Sequence, residues 1–257
     1  MSFSRSLAVA RGGARLLLSD PAPTIAMTAV PIVFIPFLIP GVRAQLRLAG
    51  ATTATGAEHV VPGMLVLFAF LSVQTTVMLF YREHAWGTWD RLRASATTTG
   101  DLVVGKCLPS FAAQLLQCGV VLAVSAVAYR FRITGSVGAL LVVLVAFVAA
   151  LTAFGVALVA VFGSLDQAMV IGNLLGMVMA GLGGAFTPIS SLPGWAQGIA
   201  HASPASWAIG ALSRISLDGA GMGAVAGDTL RLLGFAAGCA LVVGLCFRMD
   251  AAKVGTT

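Results

Sequence analysis

Long stretches without a charged side chain are the feature that most restricts how this chain can fold. Six intervals between charged residues are long and apolar, and about 20 apolar residues cross the hydrocarbon core of a bilayer as a helix. A soluble protein with 58% hydrophobic and only 9% charged residues would expose large apolar patches, which drive association. The sequence therefore predicts an all-α, polytopic membrane protein.

Five of these intervals are long enough to span a bilayer, and the sixth becomes so with a basic residue at its edge. The side chain of Arg231 can extend to the headgroup region and so lengthen the last, shorter interval. The predicted six transmembrane helices lie within residues 21–42, 60–81, 107–129, 133–165, 167–213 and 232–247.

The interval 167–213 is too long for one crossing and too short for two full crossings with a comfortable turn between them. Its second part contains three prolines, which interrupt a helix, and two tryptophans, which suit the membrane interface. These residues are Pro188, Pro193, Trp195, Pro204 and Trp207. We expect the fifth transmembrane helix to end near residue 186 and an external re-entrant helical hairpin to occupy residues 187–215, between helices 5 and 6.

Two further segments lie outside the predicted spans. Residues 1–20 place apolar side chains at helical spacing, largely away from Arg11 and Arg15, which predicts an interfacial helix on the membrane surface. Residues 82–106 form the longest charged stretch. With the amino terminus inside, nine basic residues near the span ends face the cytoplasm and six face outward. The positive-inside rule therefore predicts cytoplasmic termini and a cytoplasmic loop at 82–106, within one transmembrane domain that covers 1–257.

Residues 100–107 come within one position of a phosphate-binding P-loop. That motif requires Ser or Thr after its lysine to hold magnesium, and here Cys107 follows Lys106. The segment also leads directly into a span, and no predicted strand precedes Gly100. We expect a glycine-loosened turn, with Lys106 at the inner membrane boundary, and no nucleotide site in this chain.

The sequence nominates no catalytic, metal or cofactor site. His59, His84 and His201 are scattered, and no HExxH motif, GxSxG motif or paired-carboxylate spacing is present. Basic residues occur singly between the apolar intervals, which argues against nucleic acid as a partner. Apart from Arg231, the predicted spans contain no Asp, Glu, Lys, Arg or His, whereas ion-coupled carriers usually keep such residues at mid-membrane. Energy for any uphill transport is therefore expected to enter elsewhere.

Two segments carry motifs that can be compared with a known family. Residues 81–95 read YREHAWGTWDRLRAS and are followed by Gly105 and Lys106. The second segment contains Pro188, Leu192, Pro193, Trp195, Pro204, Trp207, Ala211 and Arg214. The first resembles the cytoplasmic loop of type 2 ABC exporter permeases, a family that includes drug-resistance transporters, and the second is similar to their connection between spans five and six. With six predicted spans and an amino-terminal surface helix, the resemblance covers nearly the whole chain.

The resemblance implies a transmembrane permease subunit of an ATP-driven exporter. Two permease subunits, identical or different, would pair with two separate ABC ATPase subunits, so that the chain itself would not be an enzyme. The cargo would be an amphipathic, lipid-like or drug-like compound that is moved outward across a bacterial plasma membrane. The runner-up interpretation is an ATP-independent membrane carrier or scaffold protein.

The resemblance also implies roles for three groups of residues. The cytoplasmic loop would form a coupling helix that contacts the ATPase through Glu83, Gly87, Thr88, Arg91, Leu92 and Arg93. The uncharged translocation path would offer polar side chains from spans two and five, namely Gln74, Thr75, Thr76 and Asn173. The external hairpin would gate the exit through Pro188, Pro193, Trp195, Pro204 and Trp207.

Overall fold

The computed structural model describes residues 3–48, 55–85 and 98–247. Over these ranges the chain is helical, with one short 3₁₀ turn at Ile189–Ser191 and no β-strand, which confirms the predicted all-α class. The α-helices are α1 (Phe3–Ser19), α2 (Ala22–Leu48), α3 (Ala57–Leu71), α4 (Val73–Ala85), α5 (Thr99–Ala128), α6 (Val137–Val161), α7 (Leu165–Leu182), α8 (Gly194–Ala200), α9 (Pro204–Leu217) and α10 (Met222–Cys246).

Six helical segments are long and apolar enough to cross a bilayer, which confirms the predicted number. We call them spans 1 to 6. Span 2 consists of α3 and α4 together, whereas each of the others is a single helix, namely α2, α5, α6, α7 and α10. Their bounds are Ala22–Arg47, Ala57–Arg82, Gly100–Ala128, Val137–Val161, Leu165–Leu182 and Met222–Cys246.

Span 3 begins earlier than residue 107, the start predicted from the positions of charged residues, because a capping box at Thr98 starts the helix. The Asp101 N–H donates to Thr98 Oγ1 and the Thr98 N–H donates to Asp101 Oδ2, both at 3.2 Å. The predicted turn at residues 100–106 is therefore wrong, since these residues form the first turns of α5. Lys106 is buried inside the bundle rather than exposed at the membrane boundary.

Span 6 also begins earlier than predicted, at Met222, and it contains a carboxylate. Asp228 is largely buried in α10 and forms ion pairs with Arg214 of α9 and with Arg231, which lies one turn along α10. A paired charge is tolerated in a span where an isolated charge is unfavourable. The prediction of spans without ionisable residues other than Arg231 is therefore wrong.

α2 contains three prolines, and side chains of α5 accommodate two of them. Proline has no N–H, so the carbonyl four residues earlier lacks its helical donor. Pro31 leaves the Met27 carbonyl free, and Gln117 Nε2 donates to that oxygen at 3.2 Å. In the same way the Tyr129 hydroxyl donates at 2.6 Å to the Ile32 carbonyl, four residues before the next proline. Such compensation is how membrane helices tolerate proline, and here it fixes α5 against α2.

The helix ends lie on two opposite faces of the bundle, which we call the α1 face and the far face. On the α1 face, Arg82 pairs with Asp20 (2.9 Å), the Tyr81 hydroxyl donates to Phe162 O (2.7 Å), and the Phe80 and Phe247 rings lie 6.1 Å apart. On the far face, Arg43 Nε donates to Thr55 O (2.7 Å) and the Gly135 N–H donates to Ile215 O (3.0 Å). Successive spans therefore alternate in direction.

α3 and α6 form the centre of the bundle, and most of their side chains are buried. Phe70 of α3 packs edge-on against Phe147 and Phe154 of α6, with ring centroids 5.9 and 6.4 Å apart. Phe154 also packs against Phe235 of α10 at 6.2 Å. α2, α7 and α10 bury few of their side chains, so these three helices offer surfaces to lipid or to other subunits.

The connection between spans 5 and 6 contains two helices, α8 and α9. Together they cover most of the region 187–215 that was predicted to be a helical hairpin, and α9 continues two residues beyond it. α9 packs on α3, α6 and α10, and one side of it is buried. Ser203 begins this helix, because its Oγ accepts the Ala205 N–H at 3.2 Å and donates to Met179 O at 2.9 Å. α9 is therefore tied to the end of span 5.

Candidate translocation path and coupling surface

Gln74 and Asn173, two of the predicted path residues, are in direct contact. Gln74 Nε2, on α4, donates to Asn173 Oδ1, on α7, at 2.6 Å. Both side chains are half-buried. A side-chain amide offers two donors and a carbonyl acceptor, so this bond leaves Gln74 Oε1 and Asn173 Nδ2 for other groups. The pair is an uncharged polar site between spans 2 and 5.

The other two predicted path residues face different neighbours. Thr76 is fully buried, and its Oγ1 accepts from Gln114 Nε2 of α5 at 3.2 Å. Thr75 lines a narrow crevice between the end of α1 and the start of α2, together with Leu16 and Met78. The four residues thus do not form one wall, because helical spacing turns consecutive side chains of α4 toward α7, α1 and α5.

α4 is attached to the rest of the α1 face by polar contacts at its second half. Lys106 Nζ of α5 donates to Leu79 O at 2.7 Å and lies 5.0 Å from the centroid of the Phe80 ring. Beyond these contacts, the Tyr81 hydroxyl reaches the end of α6 and Arg82 pairs with Asp20 at the end of α1. A displacement of the carboxyl-terminal end of α4 would therefore change contacts with α1, α5 and α6 together.

α1 lies against the first turns of α5, in a contact that requires glycine. A Cβ atom on Gly105 would lie 2.6 Å from Val9 Cβ and 2.8 Å from Ser6 O, which is closer than Cβ atoms approach. The Ser6 hydroxyl also donates to Asp101 Oδ1 at 3.3 Å. The glycine that made this segment resemble a P-loop thus serves the close packing of two helices.

The predicted coupling residues fall at the edge of the described chain. Glu83 lies in the last turn of α4, as part of the helix backbone. Gly87, Thr88, Arg91, Leu92 and Arg93 lie outside the described residues. The helices on either side of them have polar contacts near these ends, since Arg82 of α4 pairs with Asp20 and α5 begins with the Thr98 capping box.

The predicted gate residues lie on the far face with unequal exposure. Trp195 is 68% exposed at the start of α8, whereas Pro204 is buried at the first position of α9. Trp207 is half-buried, and its Nε1 donates to His201 O at 2.8 Å. Pro188 is half-buried and Pro193 is exposed. The sequence did not predict the pairing of Arg214 with Asp228 that joins α9 to span 6.

Three polar residues at mid-membrane were also missed by the sequence reasoning. Ser72, Gln114 and Gln117 are all buried, and they lie between span 2 and span 3. The signal for the two glutamines was their position in an apolar interval, on the face of α5 that also carries Lys106 and Ser110 at helical spacing. These three side chains offer uncharged hydrogen-bond donors and acceptors between the two spans.

Comparison with known proteins gives a family match and several relatives. The family model described as ABC-2 type transporter matches residues 10–217. The chain is 27% identical over 146 residues to the probable multidrug ABC transporter permease YbhR of Escherichia coli K12, covering 56% of this chain and 40% of that protein. It is 26% identical over 204 residues to the linearmycin resistance permease protein LnrN of Bacillus subtilis 168, covering 78% and 52%. The chain spans about half the length, or less, of the curated relatives it matches.

Proposed function

Because the chain belongs to the ABC-2 type transporter family, we propose that it is the transmembrane permease subunit of an ATP-driven exporter. Its cargo is an amphipathic, lipid-like or drug-like compound, moved outward across a bacterial plasma membrane. The observation that carries this proposal is a family match over residues 10–217, which includes five of the six spans. The names of two relatives, a probable multidrug permease and a linearmycin resistance permease, support the class of cargo.

Energy is proposed to come from separate ATPase subunits, two for each pair of permeases, with the second permease identical or different. Residues 100–106 are helical, so they do not form the glycine-rich loop that cradles phosphates in P-loop ATPases. α4 and α5 both lead into the charged segment around residues 86–97, which is proposed to dock on the ATPase. Glu83, Arg91 and Arg93 are proposed to be the charged members of this contact, and Gly87, Thr88 and Leu92 its uncharged members.

The Gln74–Asn173 pair is proposed to line the translocation path. An amide pair gives hydrogen-bonding specificity without a charge, which suits the polar part of an amphipathic compound better than a small ion. Because Gln74 belongs to α4, any movement of the coupling segment reaches this pair through one short helix. Thr75 and Thr76 are proposed to support α4 against its neighbours, where the structure has them facing α1 and α5.

The α8–α9 connection is proposed to re-enter the outer leaflet and to cover the exit of the path. The apolar, buried side of α9 and the exposed Trp195 of α8 support this depth, because tryptophan favours the membrane interface. The Arg214–Asp228 ion pair is proposed to keep this cover attached to span 6. The proposed orientation has α1 and the α1 face in the cytoplasm.

Cysteine labelling tests this orientation. In a variant without native cysteines, Gly163→Cys in the turn between α6 and α7 and Asp218→Cys in the turn between α9 and α10 are both exposed positions. In intact cells an impermeant maleimide is expected to label only Asp218→Cys, and Gly163→Cys should react after the inner face is opened. Labelling of Gly163→Cys in intact cells would reverse the proposed topology.

Reconstitution into lipid vesicles tests the function. The permease with its partner ATPase is expected to move a fluorescent amphipathic dye only while ATP is hydrolysed, whereas the permease alone should neither bind nor hydrolyse ATP. Tryptophan quenching by a nucleotide analogue and phosphate release measure these two properties. Dye movement by the permease alone, without ATP, would support an ATP-independent carrier and contradict the proposal.

A further inference from the structure

Span 2 is divided near its middle, at Ser72, although neither proline nor glycine lies at the division. α3 ends at Leu71 and α4 begins at Val73. The Ser72 N–H donates to Phe68 O at 2.9 Å, four residues back, but the Thr75 N–H donates to Ser72 O at 3.0 Å, only three residues back. The α-helical series is therefore interrupted at this point by one turn with a three-residue hydrogen bond, and 3₁₀-type geometry in the middle of a helix often marks a hinge.

A side chain from span 3 contacts the backbone of span 2 beside the break. Gln117 Nε2 donates to Phe68 O at 3.4 Å, and Phe68 O is also the acceptor for the Ser72 N–H. The same Nε2 donates to the Met27 carbonyl of α2, the one freed by Pro31. Gln117 thus joins spans 1, 2 and 3, beside the break in span 2 and at the carbonyl that Pro31 frees in span 1.

Ser72 has two acceptors for one proton. Its Oγ lies 2.9 Å from Phe68 O and 2.7 Å from Gln117 Oε1, and a serine hydroxyl donates only one hydrogen bond at a time. Donation to Phe68 O keeps the bond within span 2, whereas donation to Gln117 Oε1 links span 2 to span 3. Both side chains are buried, so these two acceptors compete for the one proton.

We infer that Ser72 and Gln117 form a hinge about which α4 turns relative to α3, and this inference rests on the proposed function. The coupling segment follows the carboxyl-terminal end of α4, on the α1 face, while Gln74 lies two residues after Ser72 in α4. A movement of the coupling segment is therefore transmitted to the Gln74–Asn173 pair by rotation of one short helix, α4. Ser72 and Gln117 are positioning residues in this account, since they act through α4 and do not contact the cargo.

A second buried group beside the hinge is consistent with two positions of α4. Gln114 Nε2 donates to Thr76 Oγ1, but Gln114 Oε1 is buried and has no hydrogen-bond partner within the described part of the chain. A buried polar atom without a partner is unfavourable. In a second position of α4, rotated about Ser72, the Thr76 hydroxyl would donate to that oxygen. In the present position of α4, Gln114 Oε1 is therefore an unused acceptor that the second position of α4 would satisfy.

Hydrogen–deuterium exchange on the permease–ATPase complex in lipid nanodiscs, with and without a non-hydrolysable ATP analogue, tests the hinge. In the wild type the analogue is expected to change exchange in two regions, the coupling segment and residues 73–77, the latter by about fivefold, which corresponds to about 1 kcal/mol for one hydrogen bond. In Gln117→Met, of similar length, the coupling segment should still respond but residues 73–77 should not. Cargo moved per ATP should then fall about fivefold, while ATP turnover continues, as loss of one hydrogen bond predicts.

Matched variants separate a hinge from a general loss of packing. Ser72→Ala removes the hydrogen bond between Ser72 and Gln117 by deleting its donor, and it should have the same effect as Gln117→Met. It therefore also serves as the test if the Gln117→Met protein does not insert into the membrane. Ser72→Thr keeps the hydroxyl and should keep the response. Ser125→Ala removes a buried α5 hydroxyl that has no partner among the described residues and should be neutral.

The outcomes distinguish the hinge from the proposed function. If the coupling segment of the wild type does not respond to the analogue, the ATP-driven role fails and the hinge, which depends on it, falls as well. If the coupling segment responds and residues 73–77 still respond in both Gln117→Met and Ser72→Ala, the hinge is wrong while the proposed function stands. A response of residues 73–77 that is lost in those two variants but kept in Ser72→Thr and Ser125→Ala supports the hinge.

Discussion

Replacing Glu83 and Arg91 together with alanine is expected to lower cargo export and cargo-stimulated ATP hydrolysis at least about tenfold, the equivalent of 1.4 kcal/mol, while the permease still inserts. Both charges belong to the proposed docking segment, and Glu83 lies where α4 ends. Charged groups that lose water on assembly are held by partners, and truncating one member of such a pair costs roughly 2 to 5 kcal/mol, much of it from leaving the other charge unpaired. The tenfold figure is therefore a lower bound.

Vesicles with matched amounts of complex measure this prediction, through dye export and phosphate release. Arg47→Ala is the control, because Arg47 is an exposed arginine at the far-face end of α2 and should be near neutral. Gly87→Val is expected to act like the double variant by preventing the turn, without loss of inserted protein. Wild-type export and stimulation in the double variant would remove the coupling assignment, and with it the main residue-level support for an ATP-driven role.

The number of spans was predictable because the bilayer imposes a length on any apolar helix, and the charged residues mark the intervals. Their boundaries were less predictable, since counting charges treats every charge as a boundary. Asp228 lies inside span 6 because Arg214 and Arg231 pair with it, and Arg214 belongs to a different helix. A pairing between distant parts of the chain is a tertiary property that the spacing of one segment does not contain.

The candidate site was predictable only in part, because its polar residues can be identified from the sequence but their contacts between helices cannot. Polar residues in an apolar span indicated Gln74 and Asn173, and the structure brings these two together. The hinge was missed, because it depends on which backbone carbonyl oxygens are reached by a side chain from another span. Pro31 identifies the free carbonyl at Met27 from the sequence alone, but only the packing of α5 shows that Gln117 occupies it and also reaches Phe68 O.

Gly105→Val is expected to displace α1 from α5. Valine at this position places atoms within 2.8 Å of Ser6 O and of Val9, and part of the clash is with backbone, which cannot rotate away. Overpacking of this kind costs typically 1 to 3 kcal/mol, which corresponds to a change of about 5- to 150-fold in the ratio of docked to undocked α1.

Exchange of the α1 amides and thermal unfolding of the purified complex measure this loss of docking, and export should fall with it if α1 supports the coupling segment through the Asp20–Arg82 pair. Gly119→Val is a matched control on the same helix, because no atom lies within 4 Å of a Cβ built there. Gly105→Ala should fall between the two, since its single added carbon meets the same atoms with less volume. Equal α1 exchange in Gly105→Val and Gly119→Val would mean that α1 does not depend on this contact, and the surface helix would then have to be held by the membrane alone.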